Sequence, residues 1–140
     1  ELTQHNGIDL INDSYNANPR SMTEALKTLD NFKTQGRRIF VIGDMLELGD
    51  LSIPAHETLG EEISRSKANI LIAVGKLASL SARRAQALAG EKIQVLELNE
   101  HQEAADYLIR EAKGGDCVMF KGSRGAAMEK ILQIFSANKN

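Results

Sequence analysis

Tryptophan is absent from this 140-residue chain, and aromatic residues of every kind make up only 4% of it. Four Phe and two Tyr are a thin supply of the aromatic anchors on which protein-docking faces depend, so a protein-interaction module is poorly furnished here. There is one cysteine, Cys117, and no disulfide can form within the chain. It sits in the apolar run Cys117 to Phe120, the setting of a buried strand residue rather than a nucleophile, and it fits a reducing compartment. Neither sign of charge is in excess: 17 basic against 19 acidic residues leave −2, which excludes electrostatic capture of nucleic acid. No apolar stretch approaches the ~18 residues of a membrane span, and no signal peptide is visible. The chain opens Glu1-Leu2-Thr3 without a Met, which points to a piece of something longer.

What is present alternates. Short apolar runs at Ile8 to Ile11, Ile39 to Ile42, Ile70 to Val74 and Cys117 to Phe120 read as strands, with Ile93 to Leu98 a weaker fifth. The central runs are continuously apolar and β-branched, as parallel strands covered on both faces are. Glu1 to Gln4 can pair back on Ile8 to Ile11 through His5-Asn6-Gly7, because Asn-Gly is a strong hairpin signal. Between the runs lie helical patterns: Pro19 to Phe32, capped by Asn18; Pro54 to Ser66, with Ala55, Leu59 and Ile63 in one stripe; Leu77 to Leu88, with Leu77, Ser81, Ala85 and Leu88; Ala104 to Ala112; and Met128 to Phe135. No internal repeat, low-complexity segment or domain boundary interrupts them. Five β-α units in one domain, residues 1–140, give an α/β fold with a mostly parallel sheet, one antiparallel strand, and helices on both faces.

Right-handed crossovers put every strand-to-helix loop on one rim. The first strand delivers Asp13, Tyr15, Asn16 and Asn18 there. The second delivers Gly43-Asp44-Met45-Leu46-Glu47-Leu48-Gly49, with His56 soon after; the fifth delivers Lys121-Gly122-Ser123-Arg124-Gly125. Any one of these has an ordinary structural explanation: a cap for Asn18, a turn acceptor for Asp13, a solvated loop for Asp44 and Glu47. Their recurrence on one rim, with glycines that let a backbone come close, points to a ligand site.

Spacing removes several chemistries. A P-loop needs glycine five residues before Gly75 and Ser or Thr after Lys76, where Ile70 and Leu77 stand. No Gly-x-Gly-x-x-Gly follows any strand, so the dinucleotide fingerprint is missing. His56-Glu57 lacks the second His of a zinc-protease helix, since position 60 is Gly, and the three histidines show no metal-ligand spacing. Ser123 lies in Gly-Ser-Arg-Gly, not a nucleophile elbow. A phospho-receiver domain matches at Asp13 and Lys121 but needs an acceptor Asp where the third strand ends Ala73-Val74-Gly75. Two readings remain from the residues: part of an enzyme, or a stand-alone nucleotide or small-molecule binding module of doubly wound fold.

Three blocks narrow this. Asp13-Ser-Tyr-Asn-Ala-Asn-Pro-Arg-Ser-Met22, Gly43-Asp-Met-Leu-Glu-Leu-Gly49 with His56 following, and Lys121-Gly-Ser-Arg124 with Met128-Glu129 together resemble the C-terminal domain of the Mur ligases, in the type that adds D-alanyl-D-alanine. The resemblance runs through nearly the whole chain in order and spacing. It implies a Rossmann-like three-layer α/β/α domain of a cytoplasmic, ATP-dependent amide ligase of peptidoglycan synthesis. It also implies two further domains absent from this chain, an N-terminal one for the UDP-sugar and a central one carrying the P-loop and the Mg2+ sites. In such an enzyme ATP activates the carboxylate of UDP-N-acetylmuramoyl-tripeptide as an acyl phosphate, and the amine of D-alanyl-D-alanine attacks it. The resemblance assigns Asp13 to the ATP ribose, with Tyr15, Asn16 and Asn18 on the nucleotide side. It assigns Asp44, Glu47, His56, Lys121, Ser123 and Arg124 to the amine-substrate side. No catalytic residue and no metal ligand is expected in these 140 residues, and ligation by them alone is not expected.

Overall fold

The computed structural model describes residues 1–14 and 16–139. Its strands are β1 Leu2–His5, β2 Ile8–Asn12, β3 Arg38–Gly43, β4 Ile70–Val74, β5 Gln94–Leu98 and β6 Cys117–Lys121. Its helices are α1 Pro19–Asn31, α2 Ser52–Ser64, α3 Ala78–Ala89, α4 His101–Glu111 and α5 Glu129–Ala137. The six strands form one sheet in the order β1-β2-β6-β3-β4-β5, parallel throughout except for β1 against β2. That exception is the expected hairpin. His5 pairs with Ile8, and the two residues between them, Asn6 and Gly7, both have positive φ, 53° and 77°, as a tight two-residue turn demands.

Strand side chains alternate between two cores. Phe40, Ile42, Leu71, Ala73 and Met119 face α1, α2 and α3, which supply Met22, Leu26, Leu29, Leu59, Ile63, Ala82 and Ala85. Ile39, Val41, Ile70, Ile72, Val118 and Phe120 face α4 and α5, which supply Leu108, Ile131 and Phe135. Both faces of the sheet are therefore covered, which is why the central strands read as unbroken apolar runs. Burial of each large side chain contributes roughly 1.5–3 kcal/mol. Cys117 lies in the first core, and burial pushes its thiol up to about 12, so it has no thiolate character at neutral pH.

α1 begins where the sequence places it. The Asn18 side chain accepts from the Ser21 amide at 2.9 Å, and the Ser21 hydroxyl accepts from the Asn18 amide at 2.9 Å, a reciprocal cap worth about 1 kcal/mol. α2 starts two residues earlier than Pro54, behind a 3-10 turn at Gly49–Leu51. The expected stripe of α3 is corrected. Leu88 is 51% exposed, and the buried side is Ala78, Ser81, Ala82 and Ala85. α3 packs so closely on α2 that only small residues fit between them; a methyl at Gly60 would stand 2.5 Å from the Ser81 carbonyl oxygen.

A polar clasp closes the opposite rim. Asp116 accepts from the Arg37 amide (2.9 Å), the Arg37 guanidinium (2.8 Å) and the Lys113 amide (2.9 Å). Arg37 also donates to the Glu111 carbonyl, tying the start of β3 to the end of α4.

Candidate functional site

The sheet order brings distant parts of the sequence together. β6 is inserted between β2 and β3, so the loops that follow β2, β6 and β3 are neighbours at the carboxyl ends of the strands. The loops after β2 and β3 lead to helices on one face, and the loop after β6 leads to α5 on the other. Loops that part in this way leave a crevice between them, the usual ligand position in open α/β sheets. The loops after β4 and β5, with Lys76 and Asn99 to His101, lie further along the rim.

On the first wall, the Asp13 amide donates to the Phe120 carbonyl at 3.0 Å, which extends the β2–β6 ladder by one step. The Asp13 side chain is 49% exposed, with Oδ2 3.2 Å from Lys121 Nζ. Its Oδ1 has no partner among the described residues. Asn16 is exposed beside it, and Asn18 is engaged in the cap of α1. Tyr15 lies outside the described residues.

The second wall is the segment from Asp44 to Gly49, and it is braced from behind. Asp44 Oδ1 accepts from the Ala78 amide at 2.7 Å, at the start of α3. His56, read from the sequence as a rim residue, is fully buried. Its Nδ1–H donates to the Ser52 carbonyl (2.7 Å), and Nε2 accepts from the Met45 amide (3.0 Å). These two bonds fix the ring's tautomer and take both nitrogens, so the ring braces the loop and does not face the crevice. Glu47 is different: it is exposed, with φ of 63°. A non-glycine residue there carries backbone strain of order 1 kcal/mol.

The turn after β6 holds the two walls together. Ser123 donates its amide to the Asp44 carbonyl (3.0 Å) and its hydroxyl to the Ala17 carbonyl (3.2 Å), and its hydroxyl accepts from the Leu46 amide (2.8 Å). Both strand ends carry glycine beneath Met128: a methyl at Gly43 would lie 2.5 Å from Met128 Sδ, and one at Gly122 would lie 2.7 Å from Met128 Cγ and 3.2 Å from the Gly43 backbone. Lys121 is only 3% exposed and donates to the Asn16 carbonyl at 2.6 Å. Arg124 is exposed at the mouth. Asn12, Asp13, Ser14, Arg124 and Glu129 line an open hollow of about 300 Å³. Asn12, Ser14 and Glu129 are not among the site residues that the sequence predicts. The first two simply flank Asp13, and Glu129 stands just beyond the turn that presents Arg124. A larger and more apolar hollow, about 420 Å³, lies between α1 and α2, bounded by Arg20, Thr23 and Glu62. The smaller one is the candidate site, because polar groups from the ends of β2 and β6 meet there, and Ser123 ties the β3 loop to the same turn.

The donor set suits a polyhydroxylated, anionic ligand. A fixed carboxylate with one open oxygen can accept from vicinal hydroxyls, while Arg124 offers a cation to an anionic group. Among the described residues no group of three or more His, Cys, Asp or Glu could hold a metal ion. No helix among them is long and apolar enough to cross a membrane.

Comparison with known proteins gives a consistent result. The family profile described as "Mur ligase, glutamate ligase domain" matches residues 1–124. The UDP-N-acetylmuramoyl-tripeptide–D-alanyl-D-alanine ligase of Bacillus subtilis (strain 168) is 36% identical over 127 residues, covering 91% of this chain and 28% of that protein. The ligase of the same name from Escherichia coli (strain K12) is 33% identical over 132 residues, covering 92% and 27%. Among solved structures, MurF from Acinetobacter baumannii superposes with a TM-score of 0.85 at 28% identity, over 99% of this chain and 30% of that one. MurF ligase from Thermotoga maritima in complex with ADP gives a TM-score of 0.75 at 28% identity, over 96% and 29%. The chain thus spans less than a third of the length of the relatives it matches.

Proposed function

The chain belongs to the Mur ligase family, matching its glutamate ligase domain, and from that premise we propose that it is the part of a D-alanyl-D-alanine-adding ligase that closes on ATP and helps to position the dipeptide. ATP supplies the phosphoryl group that activates the carboxylate of UDP-N-acetylmuramoyl-tripeptide before the dipeptide amine attacks. The task of these 140 residues is to bind, to orient and to exclude water.

Asp13 accepts from the ribose hydroxyls through its exposed carboxylate, with Asn16 and Asn18 lining the same wall; Tyr15 joins them on its place in the sequence alone. Glu47 and Asp44 attract the dipeptide ammonium. Arg124, with the Ser123 turn beneath it, receives the dipeptide carboxylate. His56 and Lys121 stand behind these walls and support them. Mg2+ is held mainly by the central domain of the larger enzyme, which with the N-terminal domain is the chain's intramolecular partner. The setting is cytoplasmic, where ATP and the UDP-linked substrate are found.

The observation that carries this reading is the convergence of three blocks, far apart in sequence, on adjacent strand ends joined by Ser123. An ADP-complexed relative matched over nearly the whole chain supports it. The test is steady-state phosphate release by the full-length ligase. Asp13→Ala raises KM for ATP more than KM for D-alanyl-D-alanine, and Arg124→Ala does the reverse. An exchange of these two patterns refutes the assignment of walls. The 140 residues alone, which contain no P-loop, release phosphate at background; turnover near that of the complete enzyme refutes the reading.

A further inference from the structure

We propose that Lys121 is a positioning residue that sets the nucleotide wall through Asp13 and the Asn16 carbonyl, and that it makes no contact with either substrate. The inference rests on the assignment of Asp13 to the nucleotide side and goes beyond it.

Lys121 is the last residue of β6, between the ends of β2 and β3. Its side chain is buried, yet it carries an ammonium group, which has to find acceptors. It finds two on one loop: the Asn16 carbonyl at 2.6 Å and Asp13 Oδ2 at 3.2 Å. The loop is therefore held at three points by one strand end, since Asp13 donates its amide to Phe120 and Ala17 accepts from Ser123. Exposure separates the partners. Half of the Asp13 side chain meets solvent, against 3% for Lys121. A ligand can reach the carboxylate but meets little of the ammonium. Lys121 also fixes the direction of Asp13: with Oδ2 turned inward to the ammonium, Oδ1 is the oxygen left for hydroxyl groups. Ser123 extends the same arrangement to the second wall but carries no charge, so it shares the geometry without orienting the carboxylate.

The experiment is a double-mutant cycle in the full-length ligase with Asp13→Asn, Lys121→Met and the pair, reading KM for ATP, KM for D-alanyl-D-alanine and kcat. Lys121→Met raises KM for ATP by about tenfold and leaves KM for the dipeptide within about twofold; in the Asp13→Asn background it adds no more than about threefold, because residues that act as a unit are not additive. Lys121→Arg, which keeps a donor, recovers part of the loss and replaces the Met variant if that one does not fold. A rise confined to KM for the dipeptide, or full additivity with Asp13→Asn, overturns the proposal. Hydrogen exchange over residues 16–22 gives a reading independent of any ligand. It speeds up in Lys121→Met and less in Asp13→Asn, which keeps the bond to the Asn16 carbonyl. Unchanged exchange in Lys121→Met refutes the strut even if KM moves. Normal KM for ATP in Asp13→Asn, with faster exchange in Lys121→Met, refutes only the nucleotide assignment of Asp13.

Discussion

Removal of the Asp116 carboxylate should unfasten the end of the domain opposite the site, and the size of the effect follows from its partners. Asp116 is 3% exposed and receives the Arg37 guanidinium, the Arg37 amide and the Lys113 amide. Asp116→Ala leaves the Arg37 and Lys113 amides without an acceptor and the Arg37 guanidinium with only the Glu111 carbonyl. Each buried, unsatisfied group costs about 1–3 kcal/mol. The guanidinium regains water in part, because the Arg37 side chain is 35% exposed. The net loss is then about 3 kcal/mol, at the low end of the range for breaking a buried pair, or roughly 10 °C in Tm for a domain of this size.

The pH dependence has a definite sign. Burial alone raises the Asp116 carboxyl, but the hydrogen bonds from Arg37 and Lys113 and the charge of Arg37 outweigh it and hold the group below the usual carboxylate range. A depressed value means stability that is complete above the unfolded value of about 3.9 and drains away as pH falls through the folded value. Urea denaturation of the wild type and of Asp116→Asn, which cannot ionise, should differ by a constant amount from pH 7 to pH 5, and by less at each step below pH 4. The matching rise of the Arg37 guanidinium, held up first by its hydrogen bond to Asp116, lies at the alkaline extreme and does not enter this window. A difference under about 0.5 kcal/mol between wild type and Asp116→Ala at pH 7, the level of an ordinary surface change, refutes the clasp. So does a wild-type advantage over Asp116→Asn that grows on acidification.

Two further substitutions test packing near the site. Gly60→Ala should gain about 1 kcal/mol in helix propensity, yet its methyl would meet the Ser81 carbonyl oxygen at 2.5 Å and Arg84 Cβ at 2.7 Å; overpacking against backbone costs about 1–3 kcal/mol, so urea denaturation should show a net loss, and a stabilised variant contradicts the close α2–α3 contact. His56→Ala removes the acceptor of the Met45 amide and a fully buried ring, and should cost about 3 kcal/mol; a change within 0.5 kcal/mol, as for a rim residue, refutes its bracing role.

Element type and order were legible in the sequence because both depend on periodicity. The strands, the Asn6-Gly7 hairpin and the Asn18 cap stand where composition put them, since each is decided by residues within a few positions of one another. α3 was legible as a helix but not in its orientation. Leu88 looks like the natural end of an apolar stripe. The side that is buried is made of Ala and Ser, because α3 faces Gly60 across a contact too tight for Leu. Nothing inside α3 announces a glycine on another helix.

The rim divides in the same way. Which loops form it follows from right-handed crossovers, and crossovers follow from alternation. Which loops are neighbours does not, because β6, last in sequence, enters the sheet between β2 and β3. That insertion turns three separate motifs into one crevice, and only the family resemblance could have grouped them beforehand. Within the crevice, residue type says what a side chain can do, and tertiary hydrogen bonds decide whether it is available to do it. The family resemblance assigns His56 and Lys121 to the amine-substrate side, and the fold leaves both almost without exposure. Both carry donors that would be costly to bury alone: Lys121 donates to the Asn16 carbonyl of the loop it supports, whereas His56 donates to the Ser52 carbonyl of its own helix and accepts from the Met45 amide of the loop it braces. Asp13, Glu47 and Arg124 keep their exposure. The polar residues of this site are therefore of two kinds, those that shape the walls and those that face the crevice, and a wall residue can be expected to affect both substrates only if, like Ser123, it bonds to both loops.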